Sequence, residues 1–177
     1  NIMEKKVSLW KGSQSFGIIA GFLMIAFSII LWLLGMMKNQ GLGAVSYLIL
    51  AVIIFQAAKN YKDKFNEGWL TYGEAFKIGF IVTLIAALLG VIFSYVFFEF
   101  IDPDFITGLL ADTENKMIET NPDISDEALE AALSMTSKFM SSTMMTISGF
   151  IGTVIFGSII SAIVAIFAKN VNPADAV

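Results

Sequence analysis

The sequence predicts an all-α membrane protein: four transmembrane helices, both termini on the cytoplasmic side (N-in/C-in), and an acidic extracytoplasmic helical hairpin between spans three and four. Three observations predict it. Hydrophobic residues make up 56% of the 177, above the ~45–50% of soluble domains. Four runs, Phe16–Met37, Leu42–Ala58, Ile78–Phe98 and Met144–Ala168, contain no charged side chain, and roughly 20 such residues cross the hydrocarbon core as a helix. All eleven basic residues are lysines. Eight of them (Lys5, Lys6, Lys11, Lys59, Lys62, Lys64, Lys77 and Lys169) fall in segments that this arrangement places inside, against Lys38, Lys116 and Lys138 outside. Positive residues favour the cytoplasmic side. The expectation is one integral membrane domain, 1–177, with spans at about 16–37, 42–58, 76–101 and 144–168 and an extracytoplasmic insertion over 102–143.

Asn1 and Ile2 precede the first methionine, Met3, and the opening stretch through Gly17 is basic and amphipathic, with Trp10 suited to the interface. Ser13 or Ser15 is placed to cap the first span. Its apolar run exceeds the roughly 7–15 residues of a secretory h-region and a second span follows closely, so it reads as a retained helix. Lys38–Gly41, "KNQG", reads as a tight outer turn. Span two is short, and Lys59 can snorkel at its end. The helix then continues to Asn66 with Tyr61 and Phe65 on one face, and Gly68 is a C-terminal stop.

Thr71 to Glu74, "TYGE", has capping-box spacing, so helix three starts near Tyr72. Trp69, Tyr72 and Phe76 belong to the aromatic belt and Lys62, Lys64 and Lys77 to the headgroup rim. After span three, Asp102 and Pro103 read as N-cap and first residue of a new helix reaching about Thr120. Asn121–Asp123 breaks it, and Ser125 caps a further helix that runs on towards span four. The insertion is acidic: nine carboxylates stand between Asp102 and Glu130.

Histidine and cysteine are absent, which removes imidazole and thiolate as nucleophile, base or metal ligand. Glu99, Asp102 and Asp104 cluster at the end of span three and offer hard oxygen donors or acid–base groups, but no ligand loop surrounds them. Met135, Met140, Met144 and Met145 offer soft thioethers, yet adjacent methionines point apart on a helix and apolar filling is their commoner use. No apolar run holds an acidic or basic residue or a proline, which speaks against coupled transport. No catalytic, cofactor-binding or metal-ligating residue is expected, and the reading leans away from an enzyme.

What the runs do hold is small residues. Gly149, Thr153, Gly157, Ser161 and Ala165 recur every fourth position in span four, Gly79, Thr83 and Ala87 in span three, and Gly17 and Gly21 in span one. Such faces let helices approach closely in lipid, so these residues are the expected helix-packing interface, within the chain or with another. The turn between spans two and three supplies the other candidate set: Tyr61, Gly68, Trp69, Thr71, Gly73 and Glu74. Turn-making accounts for Gly68, Thr71 and Glu74; Tyr61, Trp69 and Gly73 are left as docking candidates.

That same turn carries a resemblance. Tyr61–Lys62, a following glycine and the run Thr71 to Lys77, set after an early helical hairpin and before a variable charged segment, resemble the integral membrane family of Bacteroidota designated domain of unknown function 4199. A lysine- or arginine-rich tail common in that family is reduced here to Lys169. The resemblance implies a multi-pass protein of the bacterial inner (cytoplasmic) membrane and brings no activity with it. The expected function is a non-enzymatic helix-bundle scaffold or accessory subunit. Its expected partners are the bilayer, itself or another membrane protein, without nucleic acid. Alternatives are a lipid-handling or small-molecule transport protein with a lateral apolar groove, and a membrane enzyme using Glu99 and Asp102.

Overall fold

A computed structural model describes residues 7–171. Asn1, Ile2, Lys5 and Lys6, on which part of the terminal reading rests, lie outside the described residues. In chain order the helices are α1 (Leu9–Leu33), a single turn α2 (Gln40–Gly43), α3 (Val45–Phe65), α4 (Tyr72–Val96), a five-residue π-helix (Phe97–Ile101), α5 (Phe105–Thr120), α6 (Asp126–Phe139) and α7 (Ser142–Ala168). Four stretches are long and apolar enough to cross a membrane: Leu9–Leu33, Gly41–Phe65, Tyr72–Ile101 and Ser142–Ala168. At 1.5 Å per residue even 25 residues reach about 37 Å, more than the ~30 Å hydrocarbon core. Their outward faces are apolar too, with Phe22, Leu33, Ile92 and Phe167 each more than 60% exposed. A helix apolar on all sides belongs in lipid.

The described residues form two compact units, 7–90 with 151–171 and 91–150. In the first, α3 contributes Leu50, Ile54, Ala57, Ala58 and Tyr61 to the core, at the three- and four-residue steps of one helical face. α4 adds Ala75, Ile78, Val82 and Ala86; α1 adds Ala20, and α7 adds Ala165 and Ala168. Alanine prevails because the helices come close. In the second unit Phe97 is buried and meets Phe93, Phe98 and Phe105 edge-on or tilted, with ring centroids 5.5–5.7 Å apart.

Several boundaries differ from those the sequence suggests, each for a local reason. α1 starts one to two turns early because Ser8, not Ser13 or Ser15, caps it, accepting the Lys11 amide at 3.3 Å. Ser13 instead turns inward and donates to the Leu9 carbonyl at 2.6 Å. α1 ends at Leu33 rather than Met37. Gly35 takes a left-handed φ of 67°, and the Met36 and Gly35 amides close back onto Leu31 and Trp32, the paired bonds of a Schellman stop. The "KNQG" turn is replaced by α2, whose Gly41 and Leu42 amides bind the Asn39 side chain.

Asp102 is not an N-cap and Pro103 is not a first helical residue. The Asp102 amide closes the π-helix onto the Phe97 carbonyl at 2.9 Å, so that residue ends one element and α5 starts only after Asp104. α6 does not run on into the last helix either. It stops at Phe139, and the Ser141 hydroxyl accepts the Met144 amide at 3.3 Å to start α7 afresh. Ser125 caps α6 through the Ala128 amide.

Two glycines give opposite expectations. Gly35→Ala forces a Cβ into the left-handed region and lowers stability by about 1–2 kcal/mol. Gly90→Ala, in mid-helix with nothing within 4 Å of the added carbon, raises it by about 0.5–1 kcal/mol. Unfolding titrations followed by circular dichroism in mixed micelles check both signs.

Candidate functional site

The predicted small-residue face is split by the structure. Gly157, Ser161 and Ala165 of α7 are buried, and Gly157 and Ser161 pack on α4 inside the same chain. A Cβ built on Gly157 would collide with the Thr83 side chain, and one on Gly79 would lie 2.6 Å from the Ser161 hydroxyl and 2.9 Å from Ile54. Ala87 is also buried. From the opposite side α1 presents Gly17 to Ile85 and Gly21 to Leu89 and the Ala86 backbone. α4 therefore takes close contacts from α1, α3 and α7. Thr153 is half-buried, while Gly149 is exposed and has nothing within 4 Å of its would-be Cβ. The face thus serves internal packing at its Gly157 end and is uncovered at its Gly149 end.

Polar atoms at this contact are handled unevenly. The Ser161 hydroxyl donates to the Gly157 carbonyl at 2.6 Å, the usual back-bond of serine in an apolar helix. Thr83 is fully buried and its hydroxyl oxygen has no hydrogen-bond partner. Threonine there acts through its shape, its methyl and hydroxyl filling the notch left by Gly157.

The turn between α3 and α4 is tied to the start of α1 and the end of α7. Thr71 and Glu74 form the capping box in full: the Thr71 amide and hydroxyl reach the Glu74 carboxylate at 3.0 Å, and the Glu74 amide reaches the Thr71 hydroxyl at 3.2 Å. Gly68 has φ of 82° and its amide closes onto Lys62. Tyr61 is buried, Gly12 of α1 sits flush against its ring, and its hydroxyl donates to the Val7 carbonyl at 2.7 Å. It is a strap between α3 and the start of α1, not an open docking residue.

Leu70 pairs with Asn170 through two backbone bonds of 2.7 and 2.8 Å, and the Asn170 side chain donates to the Gly68 carbonyl. Lys62 reaches the last turn of α7 at the Ala168 carbonyl, 3.4 Å away. Trp69 is half-buried, and Asn66 donates to its carbonyl. Of the docking candidates, Gly73 alone is exposed with open space beside it. Asn170 and Leu70 escaped the sequence reading because main-chain pairing across such a separation leaves no periodic signal.

The second unit holds a groove of about 620 Å³ between α5 and α6, lined by Leu110, Leu129 and Leu133 together with Glu114, Asp126 and Glu130. Glu99 is exposed on the π-helix, Asp102 is half-buried at its end, and neither lines the groove. Met135 and Met144 are exposed, Met140 and Met145 half-buried. Among the described residues no group of three or more acidic, histidine or cysteine side chains is placed to hold a metal.

Residues 15–170 match the family described as "Protein of unknown function (DUF4199)". No curated protein and no solved structure matches the chain.

The Gly157–Thr83 contact sets a reciprocal expectation. Gly157→Ala alone destabilises the bundle by about 1–3 kcal/mol through overpacking, and adding Thr83→Ala recovers most of the loss. A double-mutant cycle in a denaturing-detergent titration measures the coupling; additive effects would remove the contact from the account.

Proposed function

Because the chain belongs to the DUF4199 family, whose description names no activity, we propose a function from its geometry. It is a contact protein: a non-enzymatic helix-bundle scaffold or accessory subunit of an envelope complex. It sits in the inner membrane of a bacterium of the Bacteroidota, N-in/C-in, with the 102–143 segment outside as an acidic hairpin. The observation that carries the reading is that no residue of α5 or α6 is buried within the chain. Two helices of 16 and 14 residues are marginal on their own, and such helices are ordinarily stabilised by an apolar face packed on something.

The uncovered Gly149 end of α7 supports an intramembrane contact, and exposed Gly73 supports one at the inner turn. Gly157, in contrast, is taken by Thr83, so it leaves the set of residues offered to a partner. The lipid-handling and transport alternative asks for a lateral apolar groove, whereas at Gly157 and Gly79 there is no room for a methyl group. That tightness favours contact over passage. An enzyme built on Glu99 and Asp102 finds no support in the groove lining.

The deciding experiment is mass spectrometry of what accompanies the intact protein from native membranes, with proteins and lipids counted against the chain. The contact reading expects a stoichiometric protein partner or a defined homo-oligomer. A lone chain carrying one retained lipid would replace it with the lipid-handling alternative.

Orientation has its own test, made clean by the absence of cysteine. In cells with a permeabilised outer envelope, an impermeant maleimide labels Thr120→Cys, and labels Gly73→Cys only after the inner membrane is opened. The reverse pattern would invert the topology.

A further inference from the structure

The groove between α5 and α6 combines features that together select a ligand class. Its volume of about 620 Å³ lies within the ~300–1,000 Å³ of ordinary ligand clefts. Leu110, Leu129 and Leu133 give it an apolar floor, and Glu114, Asp126 and Glu130 line it with no lysine beside them. Lys116 and Lys138 belong to the same two helices but stand outside the lining. No residue of either helix is buried, so the leucine floor is an uncompleted packing surface.

The charges decide among occupants. The acids do not converge as cation ligands, since among the described residues no metal-holding group of three forms. A second copy of this groove would bring the same carboxylates against these, and like charges face to face cost several kcal/mol. Anionic headgroups are repelled for the same reason. What complements both floor and rim is a helix with an apolar stripe flanked by lysine or arginine, laid in the groove as a third helix.

We propose that the α5–α6 groove docks a cationic amphipathic segment of another protein. Apolar side chains of that segment seat on Leu110, Leu129 and Leu133, and its ammonium or guanidinium groups pair with Glu114, Asp126 and Glu130. This rests on the contact reading and names the chemistry of the partner that the acidic insertion takes.

The test uses the full chain in zwitterionic phosphatidylcholine nanodiscs. It is titrated with a labelled leucine–lysine amphipathic peptide and with a counterpart carrying glutamate for every lysine. The lysine peptide binds and is weakened by added salt; the glutamate peptide does not bind. Glu114→Gln with Glu130→Gln lowers affinity about tenfold and flattens the salt response. Leu133→Ser also weakens binding, and Glu119→Gln, outside the groove, leaves it unchanged. Unchanged circular dichroism shows that these variants keep their helices.

Absence of binding overturns the proposal. So does equal binding to empty nanodiscs, equal binding to the double variant, or equal binding of the glutamate peptide. Those outcomes leave a partner recovered from native membranes standing, so the groove and the contact reading fail separately.

Discussion

Close approach of backbones at α4 is the constraint on which the bundle depends. Inside a bilayer, apolar side chains gain little by leaving lipid for one another, so helices are held by shape and dispersion rather than by escape from water. Shape here means missing carbons. Gly17 and Gly21 of α1 admit Ile85 and Leu89, Gly157 of α7 admits Thr83, and Gly79 of α4 admits Ser161. Each notch is matched by a branched or hydroxylated side chain on the facing helix. At Gly157 the notch is filled by both the methyl and the hydroxyl of Thr83.

Polar bonding is concentrated where helices end. The capping box at Thr71 and Glu74, the Schellman stop at Gly35 and the hydroxyl caps of Ser8, Ser125 and Ser141 each satisfy amides or carbonyls that the helix leaves open. The turn between α3 and α4 goes further and ties together three helix ends. Tyr61 takes the Val7 carbonyl, Lys62 the Ala168 carbonyl, and Leu70 the backbone of Asn170. The residues that drew attention as a docking surface are thus largely committed to the chain itself.

What was legible in the sequence follows from the range of the interaction. The four apolar runs were plain because charge is excluded from each along its length, and the Thr71–Glu74 cap was plain because its parts lie three residues apart. The small residues at Gly157, Ser161 and Ala165 marked a packing face but not its partner, since nothing in α7 names Thr83. The π-helix at Phe97–Ile101 gave no sign: "FFEFI" is as acceptable to an α-helix, and Asp102 closes that turn instead of opening α5. Gly35 was overlooked because hydrophobic residues continue past it to Met37, hiding a stop set by φ rather than by polarity. The groove was the least legible feature: the break at Asn121–Asp123 marks a helical hairpin, but not the space that opens between its two helices.

The join of Leu70 and Gly68 to Asn170 has a temporal side. The Asn170–Gly68 bond spans 102 residues, and closing a contact of that separation costs more chain entropy than pairing helices that are neighbours in sequence. The helices themselves can wind and pair earlier, from contacts nearer in sequence. Closing this single bridge therefore carries one of the larger entropy costs of assembly. Protection of the Leu70 and Asn170 amides from exchange reports when the α3–α4 turn and the end of α7 are joined.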